Sequence, residues 1–295
     1  MDFVYASGRL SVKLAELKKI ETQINGLAGK SREEILTFLN HLQLAGNSEI
    51  NDFLQIMQGS EKILADELKS LTDESQYYLL DAVFVDDLIT FLNLKLNSVH
   101  YQNKFKPFDV IHLSLQKLLE GEMNGNYEFY QKLITRVQGD IKVKGRSQEA
   151  FLTKLFYQHL SERLAGHPYI DAKETAINIR SLYRAKVINL NPDEFKEELL
   201  GDTNKIEKFA NLFRLDDRQI VSMLKEKFDQ YAADTYDKIA SNPHKMDLFV
   251  DQYLEAKMGN LIFSSNYIDL LLLYGFQKKR VFKLIKSIYS QGEKQ

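Results

Sequence analysis

The sequence contains no cysteine and no tryptophan, and only four prolines and 14 glycines in 295 residues. Without thiols there are no disulfides and no thiolate metal sites, which fits a reducing, cytoplasmic setting. With so few breakers, and few alternating apolar and polar runs between them, the chain is expected to be all-α. Charge of one sign is also lacking: 39 Lys and Arg stand against 41 Asp and Glu, with a sequence pI near 6.3. That balance speaks against wrapping nucleic acid or adhering to anionic lipid through overall charge. Long apolar runs are missing as well, the longest being of the kind Leu270-Leu271-Leu272-Leu273-Tyr274. The N-terminus has no basic segment followed by a hydrophobic one. Neither a spanning helix nor a signal peptide is expected.

What is present suits a folded protein with a sizeable core, 44% hydrophobic and 27% charged. The spacing of apolar residues and capping signals predicts helices over 4–27, from Ser31, and over 49–69, 73–100, 107–121, 126–138, 147–165 and 169–190. Further helices are expected to open after Asn191-Pro192, Asp216 and Asn242-Pro243, and a last one to run from Ser264 to about Ser290. Ser31 with Glu34 and Asn191 with Glu194 read as capping boxes, and Asp216-Asp217-Arg218-Gln219 marks a helix start.

An internal echo organises the chain. Residues 84–95, Phe-Val-Asp-Asp-Leu-Ile-Thr-Phe-Leu-Asn-Leu-Lys, recur without a gap 85 positions later as Tyr-Ile-Asp-Ala-Lys-Glu-Thr-Ala-Ile-Asn-Ile-Arg. Eight of the 12 positions agree in identity or kind, which marks a structural repeat. A weaker third mark is Tyr267-Ile268-Asp269, with Lys278 nine residues after the Asp as Arg180 is after Asp171. Taken as module starts, these divide the chain into 1–83 completed by 267–295, then 84–168, then 169–266. The expected architecture is a closed, pseudo-threefold arrangement with both termini in one module.

The recurring polar residues are Asp86, Thr90, Asn93 and Lys95 in the first copy, and Asp171, Thr175, Asn178 and Arg180 in the second. On a helix, Asp171, Thr175 and Asn178 fall within about 60° of one another. An apolar face is expected at 176, 179, 183, 187 and 190. Asn in a helix interior costs on the order of 0.5 kcal/mol relative to Ala, so its recurrence points to a specific hydrogen bond. Asp171 is expected to cap its helix and Asn178 to bridge to a neighbouring helix. The alternative is a surface gripped by a partner.

Patterns that suggest catalysis are weak. Gly29-Lys30-Ser31 ends like a phosphate-binding loop but lacks the earlier glycine and follows a helix, so capping is the better reading. The six histidines form no metal motif, and no nucleophile elbow is seen. No catalytic residue, cofactor, metal or small-molecule substrate is expected. The C-terminal segment 277–295 is locally basic, with six Lys and Arg against Glu293 alone. It reads as a solvated helix face with dipole-favoured cations, and also as a patch for an anion or an acidic protein.

Taken in order, the motifs resemble the C-type stalk component of V/A-type rotary ATPases, the relative of the d-type component of vacuolar ATPases. The resemblance is carried by Tyr5-Ala-Ser-Gly-Arg9-Leu10, Ser31 to Glu34 and on to Leu42, and Asn93-Leu94-Lys95 after Asp86. It continues through Tyr169-Ile170-Asp171 to Asn178-Ile179-Arg180, Tyr183-Arg184-Ala185-Lys186, and Tyr274-Gly275-Phe276-Gln277-Lys278 with Lys286. Where the family carries two acids after the matching Lys, this chain has Lys279 and Val281. The resemblance implies a non-catalytic, funnel-like protein of three related helical modules. It would sit on the membrane rotor ring of proteolipid subunits and receive the tip of the central-stalk shaft, peripheral to the cytoplasmic face. A helical adaptor or scaffold unrelated to any ATPase is the competing expectation.

Overall fold

A computed structural model describes residues 3–44, 52–96, 133, 135–136 and 148–292. The helices expected over 107–121 and 126–138 lie outside the described residues but for three positions. Helices α1 (Phe3–Asn25), α2 (Arg32–His41), α3 (Phe53–Ser70) and α4 (Tyr78–Leu96) come first. After them come α5 (Gln148–Arg163), α6 (Pro168–Val187), α7 (Pro192–Glu198) and α8 (Thr203–Leu212). The last four are α9 (Asp217–Lys227), α10 (Gln230–Ser241), α11 (Met246–Met258) and α12 (Tyr267–Gln291). Among the described residues there is no strand, and no helix is long and apolar enough to cross a membrane.

The helix starts follow the sequence signals. The Ser31 side chain accepts the Glu34 amide while Glu34 reaches back to the Ser31 amide, and Asp216 with Gln219 does the same. These reciprocal bonds satisfy donors that the first turn of a helix otherwise leaves open. Asn191 accepts from the Asp193 amide at 2.8 Å, with Pro192 opening α7, but Glu194 closes no box there.

The chain forms two compact units. One comprises the described parts of Met1–Phe84, Lys95–Lys132 and Ile262–Gln295. In it α12 packs against α1 and α3, burying Leu10, Leu14, Leu17 and Ile24 of α1. Each such side chain withdrawn from water contributes about 1.5–3 kcal/mol. The run Leu270 to Phe276 is buried on every side of α12, which makes this helix the core of its unit. Gly275 permits that packing, since a Cβ there would lie 2.6 Å from both methyls of Val83. Phe53 stacks on Tyr289 with ring centroids 3.8 Å apart. The Tyr267 hydroxyl donates to the Leu71 carbonyl.

The other unit takes Val85–Leu94 of α4 and the described parts of Leu133–Leu261. Its centre is α6, in contact with α5, α7, α8, α10 and α11. A helix so surrounded buries more than one stripe. Ala172, Leu182 and Ala185 are inside along with Ala176 and Ile179, whereas Val187, expected on the apolar face, is 64% exposed. The helix stops at Val187, short of Leu190, because Asn189 turns to a φ of 53°.

Candidate functional site

Of the recurring polar residues of α6, Thr175 and Asn178 are buried and Asp171 is exposed, and the structure gives them specific partners within the second unit. Asn178 is fully buried. Its Nδ2 donates to the Leu200 carbonyl at 2.8 Å, and its Oδ1 accepts the Leu200 amide at 2.9 Å. The expected bridge therefore exists, but to the connection between α7 and α8 rather than to a helix. Leu200 lies past the end of α7, where its main chain is outside any helical ladder, and a carboxamide supplies donor and acceptor together.

Asp171 does not cap α6. His167 is the N-cap, its Nδ1 accepting the Tyr169 amide at 3.1 Å, with Pro168 at the first helical position. Asp171 lies one turn further in and pairs with Lys205 at 2.6 Å. The same ammonium contacts Glu174 at 2.7 Å, and Glu174 accepts from the Ser161 hydroxyl at 2.6 Å. Gly201, at φ +106°, makes room for this chain of bonds, because a Cβ there would meet Lys205 Cδ at 2.6 Å and Glu174 Oε2 at 3.1 Å. Burial works to lower the Lys205 pKa, but the charges and hydrogen bonds of Glu174 and Asp171 outweigh it and raise the group above the usual lysine value.

The two copies of the repeat touch. Asp86 of the first accepts from Lys173 of the second at 3.0 Å. Lys173 is buried; desolvation disfavours its charge, yet Asp86, with Tyr157 and Tyr169 beside it, holds its pKa well above the ordinary range. Each repeat Asp thus meets a lysine, Asp86 with Lys173 and Asp171 with Lys205. The threonines diverge. Thr90 Oγ1 donates back to the Asp86 carbonyl at 2.8 Å on an exposed face, while Thr175 is buried and hydrogen-bonds with Tyr253, whose pKa burial drives upward. At Asn93 the main-chain carbonyl accepts from Gln148 at 3.0 Å. Arg180 reaches Asp247 at 3.9 Å, a surface pair of little energetic weight. The side chain of Lys95 lies outside the described residues.

Lys278 belongs to the first unit, in a cluster with Lys13, Glu67 and Tyr274. Glu67 accepts from Lys13 at 2.8 Å and from the Tyr274 hydroxyl at 2.6 Å. Burial lowers the Lys278 pKa, the Lys13 charge adds to that, and Glu67 and Glu16 oppose it. Three basic residues near the end of the chain have partners on neighbouring helices. Arg280 pairs with Glu21, Lys286 with Glu61 at 2.8 Å, and Lys279 donates to the Val83 carbonyl at 3.4 Å. These bonds tie α12 to α1, α3 and α4, while Lys283 and Lys286 stay on an exposed face of it.

Lys173, Glu174, Lys205 and Ser161 were not singled out by sequence reasoning. No spacing flags them: Lys205 is 31 residues from Glu174, and a charged residue on a mostly polar helix looks like surface until the neighbours are known. Tyr157 is another such residue, its hydroxyl buried without a hydrogen-bond partner among the described residues and its pKa raised first by burial. Among the described residues no group of three or more His, Asp or Glu could hold a metal ion. Comparison of the chain with protein-family profiles, with curated proteins and with solved structures finds no match.

Proposed function

We propose that the chain is a non-catalytic central-stalk subunit of a V/A-type rotary ATPase. In this role it couples the shaft to the membrane rotor ring, so that ATP hydrolysis or synthesis is linked to proton or sodium transport. The reading rests on the ordered resemblance from Tyr5 to Lys286. The observation that best supports it is the buried Asn178 clamp on Leu200, with the ion pairs of both repeat aspartates beside it. Residues that the resemblance singles out are here used to hold helices and their connections in fixed register. A torque coupler needs such a frame, because closely packed helices yield little under load.

In this proposal the modules 1–83 with 267–295, 84–168 and 169–266 close into a pseudo-threefold funnel. The funnel receives the shaft on one side and meets the ring of proteolipid subunits on the other, peripheral to the cytoplasmic face of the membrane. The protein contributes no catalytic residue, cofactor or metal, and binds neither nucleic acid nor a small-molecule substrate. A second reading, a helical adaptor or scaffold unrelated to an ATPase, draws on the exposed apolar side chains Phe3, Val4 and Phe263. The two are separated by mixing the purified chain with central-stalk shaft subunits and with detergent-solubilised rotor ring. Co-elution with both at micromolar concentration supports the stalk reading; binding to neither overturns it in favour of the adaptor.

A further inference from the structure

Lys278 follows Tyr274 by one turn of α12, within the electrostatic reach of Lys13 on α1 and Glu67 on α3. Two amines thus share one interior carboxylate, and Lys13 is the one bonded to it. Glu67 Oε1 accepts from Lys13 at 2.8 Å and Oε2 from the Tyr274 hydroxyl at 2.6 Å. With both oxygens engaged, Lys278 is left over. Its amine makes no hydrogen bond and no ion pair within 4.0 Å among the described residues. Glu16, the other acid that acts on it, is exposed on α1. The Tyr274 hydroxyl, its pKa driven up by burial, stays neutral and adds no negative charge. What Lys278 faces instead is the buried Phe282 ring, whose centre is 5.9 Å from its nitrogen. That is about the outer limit, near 6 Å, at which a ring face stabilises a cation.

A lysine attacks carbonyl carbon only as the free amine, which desolvation and a neighbouring cation both favour. Burial disfavours the Lys278 charge and Lys13 adds to that, while Glu67 and Glu16 restore only part, so the pKa lies below the ordinary lysine value. The paired lysines Lys173 and Lys205 are shifted the other way. Lys278 is half-buried rather than enclosed, so solvent reaches its nitrogen. A small reagent can follow. Lys13 carries three N–H donors and spends one on Glu67, which leaves donors for an anionic group arriving beside Lys278.

We propose that Lys278 is a covalent acylation site for small acyl phosphates, with Lys13 receiving the phosphate. The free amine attacks the carbonyl carbon and an N–C bond forms. The C–O bond to phosphate breaks, phosphate leaves with the bonding pair, and the nitrogen releases a proton to solvent. The product amide is neutral, so the repulsion with Lys13 is removed while Glu67 keeps its bonds to Lys13 and Tyr274. The inference stands independently of the central-stalk reading.

The test is incubation of the full chain with acetyl phosphate for increasing times between about pH 7 and 10, with acetylation of each lysine read by peptide mass spectrometry. At about pH 7.5, Lys278 is expected to react at least about threefold faster than the exposed Lys18 and Lys19, and its rate should level off at a lower pH than theirs. Lys13→Gln removes the neighbouring cation and frees Glu67 for Lys278. It should slow Lys278 at least about threefold and leave Lys18 and Lys19 unchanged. Glu67→Gln should speed Lys278 instead; loosened packing, which would expose the amine in both variants, does not produce opposite signs. Where either variant unfolds by circular dichroism, the wild-type pH profile decides the matter alone. Acetylation of Lys278 no faster than that of Lys18 and Lys19, or a rate that folded Lys13→Gln does not slow, overturns the proposal.

Discussion

Asn178 and Leu200 exchange two hydrogen bonds, 2.8 and 2.9 Å long, with the asparagine side chain donating to and accepting from one residue's main chain. The pair joins the central helix of the second unit to the link between α7 and α8, and both residues are buried.

Replacing Asn178 by Leu should therefore lower stability by about 2–4 kcal/mol, because the Leu200 amide and carbonyl lose their partners away from water. Helicity should stay unchanged. Urea denaturation followed by circular dichroism measures the loss. A melting temperature equal to wild type would show that the link finds other partners.

Tyr157 offers the opposite case. Its hydroxyl is buried with no hydrogen-bond partner among the described residues, so Tyr157→Phe removes a cost and no bond. Stability is expected to be unchanged or to rise by up to about 1 kcal/mol. A clear fall in melting temperature would mean that the hydroxyl is engaged.

Gly275→Ala should destabilise the first unit through the Val83 methyls that lie 2.6 Å from the new Cβ. Overpacking costs about 1–3 kcal/mol, against about 1 kcal/mol gained in helix propensity. Shortening Val83 to Ala in the same chain should make the alanine at 275 less harmful, a favourable coupling that a double-mutant cycle reads directly. Additive effects would place the contact elsewhere.

Glu67 sets an acid limit. Burial pushes its carboxyl pKa up, but the hydrogen bonds from Lys13 and Tyr274 and the charge of Lys13 prevail and hold it below 4.5. Its contribution is therefore present above pH 4.5 and is lost as pH falls through the lower folded value. Glu67→Gln should melt lower than wild type at neutral pH and show a shallower decline on acidification. Parallel melting curves from about pH 3 to 7 would remove Glu67 from the acid transition.

At the alkaline end Lys205 behaves in the reverse sense. Its folded pKa lies above 10.5, so its stabilisation is complete below that value and disappears as pH rises through the folded one. Lys205→Met should destabilise the protein at neutral pH by leaving the buried Glu174 without its ion pair, and should flatten the loss above pH 10.5. An alkaline limb as steep as that of wild type would assign the transition to other groups.

The all-helical class and most helix boundaries among the described residues were legible in the sequence, because capping and apolar periodicity act over three to four neighbouring residues. Ser31 with Glu34 and Asp216 with Gln219 specify their helix starts before any tertiary contact exists. The need for a partner at Asn178 was legible too, as a local cost that something distant had to offset. That the partner is the Leu200 main chain, that His167 rather than Asp171 caps α6, and that Lys173 and Glu174 are interior charges, Glu174 paired with the half-buried Lys205, were decided by the tertiary structure alone. The physical reason is range: caps and periodicity are short-range terms written in adjacent residues. Burial, by contrast, and the pairing of a charge with one 31 or 87 positions away exist only once the packed helices have excluded water.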